Sequence, residues 1–230
     1  DRGGAEEDHG SLKRIYTAIA RIKEDPEQAG PMTFEMSEKL ARAATTKVDK
    51  IVLHGSVLSF FGLLRANDLV AGLGLEADGI DIIMKIVGGK KKGKKQVTKV
   101  KFSGSEIREE LCPGARLCPK SSYREMLSLG ATKPNTVGLP GWTEAKWRRC
   151  LLALIKKAGI TNNRRESGRL EFNTHSSRVG GLRAFLNAGA KRELPQKLGR
   201  WENMETLEHY ADCEQICFTC RAVQLGLARG

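Results

Sequence analysis

Four groups of residues have types and spacings suited to chemistry on a phosphate. The first is His175-Ser176-Ser177-Arg178, at the start of a segment with helical period. His and Arg three positions apart share one face of a turn. The free N–H groups and dipole of a helix N-terminus favour an anion there. A plainer account is a capped helix start with an incidental basic pair. The second is Arg65, directly after an apolar run and three residues before Asp68. A charged residue at the end of a buried helix faces a cleft or a partner, although an Arg65–Asp68 ion pair on one exposed turn would also explain it. The third is Lys90, Lys91, Lys92, Lys94 and Lys95, five lysines within six residues. They repel one another unless an anion neutralises them, so they suit phosphate contact with one lysine transferring a proton; otherwise they are a solvated, charged loop. The fourth is Gly199-Arg200-Trp201, with Tyr210 nine residues after the tryptophan. Trp201 and Tyr210 could equally be core residues with a polar edge at the rim.

The elements that must position these groups follow from periodicity and punctuation. Residues 1 to about 30 read as a linker or the tail of a preceding module, broken by Asp25-Pro26 and Gly30-Pro31. Thr33 is placed to cap a helix through Phe34, Met36, Leu40 and Ala43. The run from Ile51 to Leu64 is apolar on nearly every side, which predicts a helix buried in the middle of the core. From Ile80 to Val87 the period shortens to that of a strand. Gly88-Gly89 and the lysines then read as a turn, and Val97, Val100 and Phe102 as the returning strand of a β-hairpin with a basic tip. Thr143 caps an amphipathic helix with Trp147, Leu151, Leu154, Ile155 and Ala158 on one face, stopped by Gly159. A further helix over His175–Ala188 turns Val179, Leu182, Phe185 and Leu186 inward. Shorter helices are expected near 121–129, 193–198, 204–210 and 214–225. The fold class is α+β, mainly α-helical with one small antiparallel hairpin.

Composition narrows the partner. A formal net charge of +12 over 230 residues and a sequence pI near 9.6 call for an anionic partner, of which nucleic acid is the commonest. No apolar run is long enough to span a membrane, and Asp1 to Gly10 lack the pattern of a secretion signal. An intracellular location with DNA, in nucleus or nucleoid, is therefore expected. The six cysteines are not spaced as a disulfide framework and suit free thiols. His209, Cys213 and Cys217 fall four apart with Cys220 nearby, a spacing that suits zinc. Small cysteines packed in a C-terminal helix account for it better, and no metal is expected.

Taken in order, the stretches Gly62-Leu63-Leu64-Arg65-Ala66-Asn67-Asp68-Leu69, the lysine hairpin, Thr174-His175-Ser176-Ser177-Arg178-Val179-Gly180-Gly181, Ala188-Gly189, Leu198-Gly199-Arg200-Trp201 and His209-Tyr210 resemble the catalytic domain of the tyrosine recombinases, the phage-integrase and Cre type. The resemblance covers about residues 31 to 225 and implies that catalytic-domain fold over 31–230, with a C-terminal helix after Tyr210. It implies catalytic roles for Arg65, Lys90, His175, Arg178, Trp201 and Tyr210, with Trp201 at the position where the family has His or Trp. Asp68 falls at a supporting acidic position. Lys91, Lys92, Lys94 and Lys95 would contact DNA, and Lys91 is the next choice for the catalytic lysine. The family also has an N-terminal domain clamping the other face of the DNA. Residues 1–30 are too short for it and would be its tail.

The implied reaction needs neither metal nor other cofactor. Tyr210 would attack a DNA phosphodiester to give a 3′-phosphotyrosine and a free 5′-hydroxyl, and a second 5′-hydroxyl would reverse the step. The partner is double-stranded DNA and the assembly a homotetramer, with Ile216, Phe218, Val223 and Leu225 of the C-terminal helix as contact candidates. A mobile element would be the source. Two other outcomes remain open: a DNA-binding remnant that no longer cuts, and a type IB topoisomerase-like enzyme that relaxes DNA without exchanging partners.

Overall fold

A computed structural model of the chain describes residues 29–71, 73–78, 81–91, 94–102, 117–132, 139–166, 168–187 and 190–201; for 73–102 it describes the course and pairing of the backbone. Ten elements follow in order: α1 (Phe34–Ala43), α2 (Lys47–Gly62), α3 (Ala66–Ala71), β1 (Leu73–Asp78), β2 (Asp81–Lys91), β3 (Lys94–Phe102), α4 (Pro119–Ser128), α5 (Glu144–Lys157), α6 (Ser176–Asn187) and α7 (Glu193–Gly199). The helices near 204–210 and 214–225, the peripheral stretch 1–28 and the four C-terminal residues proposed for assembly fall outside the described residues.

The helices begin where side chains can satisfy their free N–H groups. Thr33 and Thr46 head α1 and α2 with reciprocal capping boxes, the latter closed by Asp49. Thr143 accepts from the Lys146 N–H at the start of α5, and Pro119 occupies the first turn of α4, where a missing N–H costs nothing. From Ile51 to Phe60 every residue of α2 is buried, His54, Ser56 and Ser59 included, as a run apolar on nearly every side predicts. Around it lies the main core, including Leu40, Leu58, Leu64, Leu69, Met126, Trp147, Leu151 and Leu154. Gly55 lets α5 come close: a Cβ there would stand 2.4 Å from the Trp147 ring.

α6 differs from the amphipathic helix that its sequence suggests. Every residue from Ser176 to Phe185 is buried, the polar Ser176, Ser177, Arg178 and Arg183 included. Periodicity cannot foresee this, because the helix is enclosed on its polar side as well. The enclosure depends on Gly180-Gly181. A Cβ on Gly180 would lie 1.9 Å from the Met32 carbonyl oxygen, and one on Gly181 1.9 Å from the Phe60 carbonyl oxygen. The missing side chains let α6 lie directly against the backbone of α2 and of the segment before α1, where the Met32 N–H donates to the Ser176 carbonyl at 2.8 Å.

Backbone pairing over 73–102 runs antiparallel in the order β1-β2-β3. β1, absent from the expected elements, pairs from Leu73↔Ile86 to Asp78↔Asp81. The six-residue α3 is likewise absent from them, too short for a helical period to register. Gly88-Gly89 do not form the turn. The ladder passes an irregularity between Val87 and Lys90 and continues through Lys90↔Lys95 and Lys91↔Lys94. Glycines in a strand commonly mark such a bulge, and the lysines stand at the end of the ladder.

Candidate functional site

The α2–α3 corner provides the first half of the site. Leu63 ends α2 in the left-handed conformation, φ 48° and ψ 44°, with its N–H donating to the Ser59 carbonyl. Arg65 follows two residues on and is exposed. Its backbone N–H donates to Asp68 Oδ2 at 2.7 Å. Asp68 thus closes the first turn of α3 as the acidic member of a capping box does. The exposed Arg65–Asp68 ion pair considered as the plainer account is not how Asp68 is engaged. Its buried carboxylate pairs with Arg200 instead.

The second half comes from α6 and the end of α7. Arg178, 3% exposed, donates from one terminal nitrogen to the Leu63 carbonyl and from the other to the Gly199 carbonyl at 2.5 Å. Its guanidinium carbon lies 4.1 Å from the centroid of the Trp201 ring, a cation–π contact. Trp201 is buried with Leu63, Leu182 and Phe185 in a second apolar cluster. Gly199 makes room for the ring, since a Cβ there would fall 1.9 Å from it. Arg200, between Gly199 and Trp201, is left-handed at φ 58° and ψ 42°. Leu63 and Arg200 are the two non-glycine residues with positive φ among those described, and both border Arg178.

His175 stands exposed at the entrance to α6. Its N–H donates to Asn173 Oδ1 at 2.8 Å, while the Asn173 N–H donates to Ser176 Oγ at 2.9 Å, so the turn before the helix is internally bonded. The imidazole is held below its ordinary pKa of 6.5, first by partial desolvation and then by the positive charges of Arg178 and Arg65, against which Glu144 acts. Arg65, His175 and Arg178 therefore share one electrostatic neighbourhood. Arg200 is drawn in as well: burial lowers its pKa, the Asp68 carboxylate opposes that, and Arg65 adds to it.

Four of the six predicted catalytic residues, Arg65, His175, Arg178 and Trp201, are thus brought together from three separate stretches of chain. Asp68 joins them through Arg65 and Arg200. For Lys90, Lys91, Lys94 and Lys95 the description covers backbone pairing, which does not place their side chains relative to this corner. Lys92 and Tyr210 lie outside the described residues, as do His209, Cys213, Cys217 and Cys220. Among the described residues no cluster of His, Cys, Asp or Glu could hold a metal ion, Cys118 and Cys150 are free thiols, and no helix is long and apolar enough to cross a membrane. Sequence reasoning missed Arg200. Its signal was a charge held between a glycine and a tryptophan, at a point where the chain must turn.

The architecture has known counterparts. The structure is similar to that of the XerH site-specific recombinase bound to difH substrate in a pre-cleavage complex, with a TM-score of 0.54 and 16% sequence identity over 82% of this chain and 52% of that one. It is similar to the post-cleavage complex of XerH with palindromic difH substrate, with a TM-score of 0.54 and 15% identity over 79% of this chain and 49% of that one. The chain shares the fold of these XerH structures and spans about half their length. No family model matches the sequence, and no curated protein matches it.

Proposed function

We propose that this chain is the catalytic part of a site-specific DNA recombinase or integrase that cuts and rejoins double-stranded DNA through a 3′-phosphotyrosine at Tyr210. The observation that carries the reading is the convergence of Arg65, His175, Arg178 and Trp201 at one corner of a recombinase fold. Arg65 and Arg178 both act on the His175 ring, so a phosphate beside it would meet both positive charges.

A DNA phosphodiester resists attack because its charge repels nucleophiles, so catalysis is mainly positioning and charge stabilisation. Arg65 is exposed and free to meet a non-bridging oxygen with a planar pair of donors. Arg178 carries five N–H donors, of which the two carbonyl bonds use a part. Trp201 lends its indole N–H and packs the site. Tyr210 Oη attacks phosphorus, its proton passing to His175, whose lowered pKa keeps the ring neutral and able to accept it. The bond from phosphorus to O5′ breaks, and Lys90 delivers a proton to the leaving oxygen. The phosphotyrosine keeps the bond energy, so a second 5′-hydroxyl can rejoin the strand without ATP. The lysines of β2 and β3 would hold backbone phosphates, and binding would weaken steeply with salt. A homotetramer assembled through the segment after Tyr210, an origin in a mobile element, and a location with DNA complete the reading.

One observation favours a second reading, a DNA-binding remnant of the same fold. Arg178 is engaged by protein carbonyls and nearly enclosed, as a residue retained for structure would be. Covalent trapping separates the two. Labelled nicked duplexes of mixed sequence are incubated with the protein and denatured in SDS, with Tyr210→Phe as control. An adduct that forms with the native chain and is abolished in Tyr210→Phe, at nearly equal DNA affinity, is the expected result. Adducts retained in that variant would remove Tyr210 as nucleophile. Salt-sensitive binding without any adduct would favour the remnant.

A further inference from the structure

Arg200 occupies a place where arginine is a poor choice for the backbone. A left-handed residue just past a helix is usually glycine or asparagine, yet here the position carries a long charged side chain at φ 58°. The side chain is directed inward. It pairs with Asp68, and the two side chains are 12% and 8% exposed. The same Asp68 oxygen accepts the Arg65 N–H at 2.7 Å. One carboxylate oxygen thus joins the turn that carries Trp201 to the corner that carries Arg65. Arg178 makes a parallel tie between the same two places, from the Leu63 carbonyl to the Gly199 carbonyl. Both ties end at left-handed residues, Leu63 and Arg200. The joined corners come from chain positions more than a hundred residues apart, the separation across the Arg200–Asp68 bond being 132.

We propose that Arg200 is a positioning residue: through Asp68 it holds the Trp201 turn and the Arg65 corner in the one relation that a phosphate between them requires. A charge retained only to neutralise buried Asp68 would have no bearing on Arg65. A charge retained only to end α7 would be better served by glycine. Arg200→Gly separates these possibilities, because it eases the left-handed backbone while deleting the tie. Arg200→Lys keeps the charge and loses the planar fork. The latch itself does not depend on the strand-transfer reading; its effect on rate does.

The experiment therefore reads both. Amide hydrogen exchange over residues 63–69 in the free protein reports the latch. In Arg200→Gly the Arg65 amide is expected to gain about tenfold more in exchange rate than amides of the α2 core in the same variant, which report the overall stability lost when Asp68 is left without its partner. Adduct formation at saturating nicked duplex reports positioning. The rate is expected to fall about 10- to 100-fold, the scale of a misplacement near 1 Å, with DNA affinity nearly unchanged and part of the rate restored in Arg200→Lys. Faster exchange with an unchanged rate would overturn the proposal, since the tie would then be structural alone. Unchanged exchange would overturn it whatever the rate, since Arg200 would not be acting through the Arg65 corner. If the unaltered chain forms no adduct, the strand-transfer reading fails, and exchange at Arg65 alone decides the latch.

Discussion

The two apolar clusters among the described residues are held together in opposite ways. The large one, around α2, is a continuous body of aliphatic and aromatic side chains reached from α1, α3, α4 and α5. Burial of that kind is non-directional, and any side chain of the right size and shape contributes to it. The small one has four buried residues, Leu63, Leu182, Phe185 and Trp201. It is tied by directed bonds: Arg178 to two carbonyls, and Asp68 to Arg200 and to the Arg65 N–H. Bonds of this kind fix positions more sharply than they stabilise. The difference teaches that the stable part of the molecule supports a site whose geometry is set separately, by few groups, at two left-handed corners.

The largest effect that would break this comparison is loss of the large cluster. Leu58 is fully enclosed, and Leu58→Ala removes transfer energy and leaves a cavity, a cost of about 2–5 kcal/mol. That is a large share of the stability of an ordinary domain. Urea unfolding is expected to show the midpoint shifted far down. A loss well under 1 kcal/mol would show that the α2 core is loosely packed and that the contrast between the two clusters is false.

The division also explains what could be read from the sequence. The large cluster was legible because apolar periodicity and cap residues report it directly: Thr33 and Thr143 head their helices, and Trp147, Leu151, Leu154 and Ile155 are buried together. Arg65, His175, Arg178 and Trp201 were legible by resemblance. Their convergence was not, because it depends on contacts between residues far apart in the chain. Arg200 was missed for the same reason, its partner Asp68 lying 132 positions away. The full burial of α6 was hidden because Gly180 and Gly181 act through what they lack. The turn expected over Gly88-Gly89 and the lysines falls past the glycines, because paired glycines mark a bulge as readily as a turn and the pairing continues through Lys90↔Lys95 and Lys91↔Lys94.

An intermediate effect sharpens the comparison through pH. His54 lies on α2, the helix at the centre of the large cluster, 5% exposed, with Nδ1 3.2 Å from Ser122 Oγ. His175 is exposed at the entrance to α6. Both are held below the ordinary value of 6.5, each mainly by desolvation. A histidine whose folded pKa is depressed contributes stability that is present above 6.5 and lost as pH falls toward the folded value. Urea unfolding across that range is expected to show stability declining with acid. The slope should flatten in both His54→Gln and His175→Gln, in the first because desolvation of an enclosed ring disfavours its charged form and in the second because Arg178 and Arg65 add to desolvation. A greater flattening from His175 would place the acid-sensitive element at the site rather than in the core.

The smallest effect belongs to the outer surface of the large cluster, where directed bonds also occur. Lys157, 41% exposed, stands 2.7 Å from Asp49 Oδ2 and 2.7 Å from Thr45 Oγ1, linking the end of α5 to the start of α2. Desolvation raises the Asp49 pKa, but the Lys157 bond and the two Thr46 bonds outweigh it, so the carboxylate titrates below 3.8. An ion pair this open to water contributes about 0.2–1 kcal/mol, and salt screens it further. Lys157→Met is therefore expected to lower stability within that range at low ionic strength. The difference should shrink in molar salt and vanish as pH falls below 3.8, where the carboxylate takes up its proton. This pair also joins a cation to a carboxylate but lies in solvent, and loss of its charge is expected to leave the proposed DNA cleavage untouched. A cleavage defect in Lys157→Met at full stability would show that geometry at the site is set by surface charge as well as by the enclosed ties.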